Sequence, residues 1–416
     1  MTSVEEAIDW LQNQKKSSPK KDLNRIRRCL SLLNIKTPYP IVHIAGTNGK
    51  GSTASFLKAL FMEKKQKVGF FISPYVLCFN ERIQVSSTMI PDEAIMAYTE
   101  FLKSFAEDYA STYQDTIPFF ELTLLMALLY FEREKIDVAI IECGIGGLLD
   151  ATNVLDTTVS VITNIGYDHM KQLGQTLNEI AAHKLGITRP HHLCFTTVDS
   201  KLKRLFEEYS FHHQVPMVYL KESVQDIYLD QETHFAFQNQ AYHVPLLGLH
   251  QAYNAALAIA VFQTFFPDES PLCIQQGLSK TIWPGRFEQV LDRPCVILDG
   301  AHNLHGIEAL VQSLRFLYAD RNINILFTAL KEKEYPKMIE KLDEVASFYY
   351  FTTLDDRRSL DSSCFAKWTT KPFRIENDLH TILQEAIQAC QPSDVLVITG
   401  SLHFISLIRP MVQFKK

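Results

Sequence analysis

Short apolar runs rich in β-branched residues recur along the chain, each set off from stretches whose apolar positions return at helical spacing. Residues 41–46, 68–73, 137–144 and 159–165 read as buried strands, and 52–64, 92–110, 121–134 and 176–184 as helices. That alternation predicts βαβ units on a mostly parallel sheet. Residues 198–245 are less regular, mixing a helix, short strand candidates and polar turns, and a strong helix follows at 252–265. A second alternation opens at Cys295, with strands at 296–299, 323–330, 348–352 and 395–399 and helices at 304–317, 336–345 and 379–390.

Just before it stands Trp283-Pro284-Gly285-Arg286, whose Pro-Gly pair marks a turn. The expected fold is α/β: a large P-loop ATPase-like domain over residues 1–290, and a smaller C-terminal Rossmann-like α/β domain over 291–416. With 416 residues, 46% of them hydrophobic and 21% charged, the chain has material for two such cores and no disordered character. Lys plus Arg is 41 and Asp plus Glu is 47, so the net charge of −6 excludes a broad basic surface for nucleic acid or anionic lipid. Small-molecule ligands are expected instead.

The eight cysteines are scattered without C-x-x-C pairs, which fits a reducing compartment. Neither a signal-like nor a membrane-length apolar run is seen, so the expected location is the cytoplasm. Lys15, Lys16, Lys20, Lys21, Arg25, Arg27 and Arg28 are interspersed with acids, Asp9 and Asp22 among them, and read as a solvated helix face more than a transit segment.

Between the first strand and the first strong helix lies Gly46-Thr47-Asn48-Gly49-Lys50-Gly51-Ser52-Thr53. Glycines let backbone N–H groups curl around phosphate oxygens, and the helix N-terminus adds positive partial charge. Lys50 and Ser52 are the natural partners of terminal phosphates and Mg2+. The spacing departs from G-x-x-x-x-G-K-[ST], because Gly51 separates Lys50 from Ser52. The plainer alternative is a glycine-rich turn capping a helix.

Ser73, Glu142 and Asp168-His169 fall at or shortly after the carboxyl ends of other expected strands, the edge where open parallel sheets bind ligands. Hydroxyl, carboxylate and imidazole together suit a divalent cation. Singly, each has a bland reading as turn hydroxyl, cap or surface histidine.

These segments, in this order, carry a resemblance. His43-Ile44-Ala45 before Gly46 to Ser52, Ser73-Pro74 with Phe79-Asn80-Glu81-Arg82-Ile83, and Glu142-Cys143-Gly144 with Leu149-Asp150-Ala151-Thr152-Asn153 are its first half. Ile162 to His169, His183-Lys184-Leu185-Gly186, Gly285-Arg286, Asp299-Gly300-Ala301-His302-Asn303 and Thr399-Gly400-Ser401-Leu402 complete it. The chain resembles, over nearly its whole length, the folylpolyglutamate synthase/dihydrofolate synthase family, relatives of the Mur ligases.

The resemblance implies an ATP-dependent ligase that adds L-glutamate to a folate or dihydropteroate carboxylate through an acyl phosphate. It assigns Thr47, Asn48, Gly49, Lys50, Gly51 and Ser52 to ATP, and Ser52, Ser73, Glu142 and His169 to Mg2+. Lys184 becomes a carbamylated lysine beside a second Mg2+, where the sequence alone reads a helix-end lysine. Asn254 is placed near adenine, although a helix cap is its local reading. Arg286, Asp299 and His302 are placed toward ATP and the reacting groups across an interdomain cleft, and Arg82, Asp150, His302 and Ser401 toward the substrates. Lys50, Lys184 and His302 are the expected catalytic groups, with His302 a proton acceptor for glutamate.

Two departures from the family pattern leave the folate side less defined: Leu148 replaces a common arginine, and Glu332-Lys333-Glu334 replaces Asp-Lys-Asp. The rival readings are a Mur-type ligase for another carboxylate and a non-catalytic nucleotide-binding module. About 40 residues before the first strand are few for the N-terminal substrate domain of cell-wall ligases. His191-His192 and His212-His213 lack a zinc pattern, and Phe119-Phe120 and Tyr349-Tyr350-Phe351 read as core or pocket wall. Monomer is the expected state.

Overall fold

The computed structural model describes residues 2–15, 22–356 and 358–413; Lys16, Lys20 and Lys21 of the basic segment lie outside the described residues. Its contacts form two compact units. The first comprises Met1–Ile165, His169–Glu222 and Ala256–Gly277, and the second Gly166–Asp168, Ser223–Ala255 and Leu278–Lys416.

The first unit is built on eight strands: β1 (Ile41–Ala45), β2 (Val68–Phe71), β3 (Ile83–Val85), β4 (Thr88–Met89), β5 (Val138–Glu142), β6 (Val159–Ile162), β7 (Cys194–Thr196) and β8 (Met217–Tyr219). Their order is β4-β3-β2-β5-β1-β6-β7-β8. β3 and β4 run antiparallel at one edge and the other pairings are parallel. The β-branched runs are buried throughout β1, β2, β5 and β6, as strands covered on both faces require.

After β1 the chain moves out to β2, returns in β5 to pair with one side of β1, and places β6 on the other. This reversal opens a crevice at the carboxyl ends of β1, β5 and β6. The helix Lys50–Glu63 leaves β1 there. Its Phe61 meets Phe262 and Phe265 edge-to-face at 5.6 and 5.2 Å, contacts worth about 0.5–1.5 kcal/mol each beyond their buried area.

The helix Asn24–Leu32 is mostly solvated on its basic side, but Arg25 departs from that expectation. Its guanidinium forks onto Glu121 at 2.8 and 2.9 Å and also reaches Asp115 at 3.3 Å. Glu121 lies in the first turn of the helix Phe119–Glu134, so one ion pair ties the two helices together.

In the second unit the irregular stretch becomes a three-stranded antiparallel sheet of β9 (Val224–Leu229), β10 (Thr233–Phe237) and β11 (Gln240–Val244). Gln238 and Asn239, both at positive φ, make the two-residue turn between β10 and β11 that matches strand twist. The six strands β12 (Glu288–Asp292), β13 (Cys295–Leu298), β14 (Ile323–Phe327), β15 (Ala346–Phe351), β16 (Phe373–Ile375) and β17 (Val395–Thr399) then form a sheet ordered β12-β13-β17-β14-β15-β16. Only β12 is antiparallel. Tyr349 and Phe351 are core residues of this unit. No helix among the described residues is long and apolar enough to cross a membrane.

Candidate active site

The turn from β1 to its helix depends on two glycines. Gly49 caps the helix at φ 84°, a left-handed conformation that side chains disfavour. At Gly46, φ is 152° and a Cβ would lie 1.8 Å from Thr163 Oγ1. The loop is fastened to the segment after β6: Asn164 accepts Thr47 N–H through its carbonyl and Asn48 N–H through Oδ1, each at 2.9 Å. Thr163 Oγ1 donates to the Asn48 carbonyl at 2.6 Å. Thr163 and Asn164 were visible in the sequence only as part of a shared motif; a hydroxyl and an amide at the end of a strand beside β1 are the signal of their clamping role.

Lys50 folds back over this loop, its Nζ 3.3 Å from both the Gly46 and Thr47 carbonyls and 3.7 Å from Glu142 Oε1. Glu142 ends β5, is buried, and accepts Ser73 N–H at 3.4 Å. Lys184 is buried in the helix Leu177–Leu185 and donates to the Gly46 carbonyl at 2.8 Å. Ser52 is buried in the first turn of its helix, and His169 occupies the position before the short helix Met170–Leu173. The first unit thus gathers Lys50, Ser73, Glu142 and Lys184 around the loop of Gly46 to Ser52.

Asp150 is engaged on both oxygens. Oδ2 accepts from Gly144 and Ile145 N–H at 3.1 and 3.0 Å, and Oδ1 from Thr152 N–H and Oγ1 at 3.0 and 2.6 Å. Its carboxylate therefore shapes the backbone immediately after Glu142. Thr152 Oγ1 also lies 2.8 Å from His43 Nε2, and burial pushes that imidazole down to about 3.

Arg82 is buried among aromatic faces, its guanidinium carbon 5.1, 5.9 and 5.2 Å from the rings of Tyr75, Phe79 and Phe119. Its Nε has no hydrogen-bond partner among the described residues. Burial lowers its pKa to about 10, which leaves a full cation at neutral pH. A desolvated cation of this kind favours a carboxylate or phosphate.

In the second unit, Asp299 follows β13 and holds two backbone N–H groups, Phe287 through Oδ2 at 2.9 Å and Ala301 through Oδ1 at 2.8 Å. Burial raises its pKa, opposed by the Arg286 charge. Arg286 Nη1 donates to the Gly285 carbonyl at 3.1 Å and would be met by a Cβ on Gly300 at 2.4 Å. Glu288, not singled out in the sequence, accepts Gly285 N–H at 2.9 Å and takes the Arg409 guanidinium at 2.7–3.0 Å. Asn254 Nδ2 donates to the buried Gln251 Oε1 at 2.9 Å. His302 Nδ1 donates to the Gly300 carbonyl at 2.8 Å, and Ser401 directly precedes the helix Leu402–Gln413. Gly400 N–H donates to the Ala301 carbonyl at 3.0 Å, bringing the Ser401 and His302 segments together.

Residues 44–262 match the Mur ligase middle domain and residues 285–402 the Mur ligase glutamate ligase domain. The chain is similar to the dihydrofolate synthase/folylpolyglutamate synthase of Bacillus subtilis, at 33% identity over 98% of this chain and 99% of the relative. It is also similar to the folylpolyglutamate synthase of Lacticaseibacillus casei, at 32% identity over 92% of this chain and 93% of the relative. Among solved structures it resembles a bifunctional folylpolyglutamate synthase/dihydrofolate synthase bound to Mn, AMPPNP and L-glutamate, with a TM-score of 0.85 and 25% identity, covering 99% of this chain and 98% of that one. A matching middle domain over more than half of the residues, joined to full-length likeness, means that the chain belongs to the folylpolyglutamate synthase/dihydrofolate synthase family of the Mur ligases.

Proposed function

We propose that this protein is an ATP-dependent ligase that joins L-glutamate to the carboxylate of a folate or a dihydropteroate. In this reading residues 1–290 serve ATP and the folate carboxylate, and residues 291–416 carry glutamate ligation. The observation that carries it is the loop of Gly46 to Ser52, with Lys50 and Glu142 3.7 Å apart beside it and Lys184 on the Gly46 carbonyl, in a chain whose relative binds AMPPNP, Mn and L-glutamate.

The carboxylate oxygen attacks the γ-phosphorus of ATP, the bridging P–O bond breaks, and ADP leaves. The amine of glutamate then attacks the acyl carbon, forming C–N as the C–O bond to phosphate breaks. Lys50 and Arg286 offset charge on the phosphoryl group, and the amides of Thr47, Asn48, Gly49 and Gly51 hold its oxygens. Asn254 and Asp299 bind the rest of the nucleotide. Arg82 draws in an anionic substrate, with Asp150 shaping the adjoining loop, while His302 and Ser401 receive glutamate. The hydroxyls of Ser52 and Ser73, the Glu142 carboxylate and the His169 imidazole form a donor set that suits Mg2+. When bound, Mg2+ neutralises phosphate charge. Lys184, carbamylated, would add a carboxylate to that set. The enzyme works as a cytoplasmic monomer on small molecules, without nucleic-acid or membrane partners, and equilibrium sedimentation tests the monomer.

The decisive experiment supplies MgATP and L-glutamate with dihydropteroate or with tetrahydrofolate, in separate reactions, and follows phosphate and product mass. Glutamate-dependent phosphate release with a glutamyl adduct is expected. No adduct with either pterin refutes the proposal. Lys50→Ala should abolish turnover while leaving the fold intact.

A further inference from the structure

Beside His302 the second unit holds a small charged cluster that the reaction described above does not use. Asp168 Oδ1 accepts Lys333 Nζ at 2.6 Å, and Oδ2 accepts Asn303 Nδ2 at 3.1 Å. His302 Nε2 lies 3.5 Å from the same Oδ2. The Lys333 and Asp168 side chains are only 10% and 9% exposed, against 29% for His302. Asn303 is itself fixed, since its Oδ1 accepts Gly306 N–H at 2.8 Å and caps the helix Leu304–Leu317.

The tautomer of His302 follows from its neighbours. A backbone carbonyl only accepts, so the 2.8 Å bond to Gly300 puts the proton on Nδ1. In the neutral ring Nε2 therefore carries the lone pair, on the side of Asp168. The Asp168 carboxylate beside it fixes the direction in which that nitrogen faces. That carboxylate is held in turn: an ion pair this well buried keeps Asp168 from turning toward water, and Asn303 fixes its second oxygen.

We infer that Asp168 and Lys333 are positioning residues for the incoming glutamate amine, acting through His302. The inference rests on the reading of His302 as the proton acceptor. The glutamate ammonium gives one N–H proton to His302 Nε2 and keeps the electron pair. That pair forms the C–N bond, the C–O bond to phosphate breaks, and phosphate leaves with its electrons and carries away the second N–H proton, leaving a neutral amide. The imidazolium then returns its proton to water. Lys333 never touches the substrate in this scheme; it keeps Asp168 in place.

The test compares Asp168→Asn, Lys333→Met, Lys333→Arg and the Asp168→Asn/Lys333→Met double variant. Rates of glutamyl product are measured at varied glutamate and, separately, at varied ATP. Positioning predicts that Asp168→Asn and Lys333→Met each lower the turnover of amide formation about ten- to hundredfold, less than the roughly hundred- to ten-thousandfold that loss of the general base itself would cost. The KM for ATP should not move, and Lys333→Arg should restore most of the rate. Residues acting as one unit are strongly non-additive, so the double variant should be no slower than the worse single one. Full turnover in Asp168→Asn overturns the inference, as does multiplication of the two losses or a rise in KM for ATP that parallels the lost rate. Asp168→Asn is nearly isosteric and decides the matter if Lys333→Met fails to fold. A His302→Ala variant with full activity would instead refute the role given to His302, and a wild-type protein without glutamyl product would refute the ligase reading itself.

Discussion

Gly46→Ala is the substitution whose consequence is best defined by distances. The new Cβ would lie 1.8 Å from Thr163 Oγ1 and 3.1 Å from Thr163 Cβ, at a φ of +152° that side chains rarely adopt. Backbone strain of this kind costs about 1–3 kcal/mol. The Thr163 hydroxyl must also turn away, which breaks its 2.6 Å bond to the Asn48 carbonyl and costs about 1 kcal/mol more. Gly46→Ala should therefore lose about 2–4 kcal/mol of stability. Thr163→Ala alone removes the hydroxyl and its bond, a loss of about 1 kcal/mol. In the double variant the hydroxyl clash is gone and the lost bond is counted once, so the pair should be more stable than the summed losses by about 1–2 kcal/mol. Urea unfolding of the four proteins without nucleotide measures this cycle. Additivity within roughly 0.5 kcal/mol would show that Gly46 and Thr163 do not meet, and the account of the loop would fall with it.

Arg25→Met should destabilise by about 3–5 kcal/mol, because it strands the buried Glu121 carboxylate, whereas Arg25→Met/Glu121→Met should recover most of that; thermal unfolding of both variants checks it. His43 is held neutral by burial down to about 3, while the unfolded imidazole titrates near roughly 6.5, so the unfolded chain binds a proton that the folded one refuses. Stability is then full above about pH 6.5 and falls as pH drops toward about 3, by at most roughly 1.4 kcal/mol per unit from this group. His43→Gln should flatten that slope in urea titrations between about pH 6 and pH 4, and an unchanged slope would contradict the assignment. Arg409→Leu frees Glu288 from its fork and should raise the KM for ATP several-fold through the loosened Gly285-Arg286 turn, while the KM for glutamate stays constant in steady-state assays.

What the sequence disclosed was local or periodic. The β1 turn could be read because glycines, a lysine and hydroxyls stand together in one short segment, and the central strands of both large sheets because burial on both faces leaves unbroken apolar runs. β3, β4, β7 and β16 escaped because two or three residues are too few to show a period, and β12 because it is only partly buried and carries no apolar run. Two buried ion pairs were invisible for another reason. Arg25 and Glu121 are 96 positions apart, and Lys333 and Asp168 are 165 apart, so no spacing rule connects them. Arg25 looked like one more member of a solvated basic face, since nothing in the helix Asn24–Leu32 signals that Glu121 will lie against it. Asp150 shows the same limit within one segment: it was legible as part of the motif that opens with Glu142 and was assigned by resemblance to the substrate, but it was not legible that both of its oxygens are taken up in shaping the loop.

The chain carries a net charge of −6, yet its chemistry concerns anions, and the resolution lies in how individual cations are housed. In the proposed site Lys50 directs its ammonium group at the carbonyls of the β1 turn, and Arg82 faces three aromatic rings. Carbonyl dipoles and ring faces hold a cation in place without cancelling its charge as a carboxylate would. A cation kept this way has lost much of its hydration, so it attracts an arriving phosphate or carboxylate more strongly than an exposed lysine can. Glu142, 3.7 Å from Lys50, is beyond hydrogen-bond distance and tempers that charge without quenching it. In the proposed site a few such residues would suffice for polyanionic substrates without a broad basic surface.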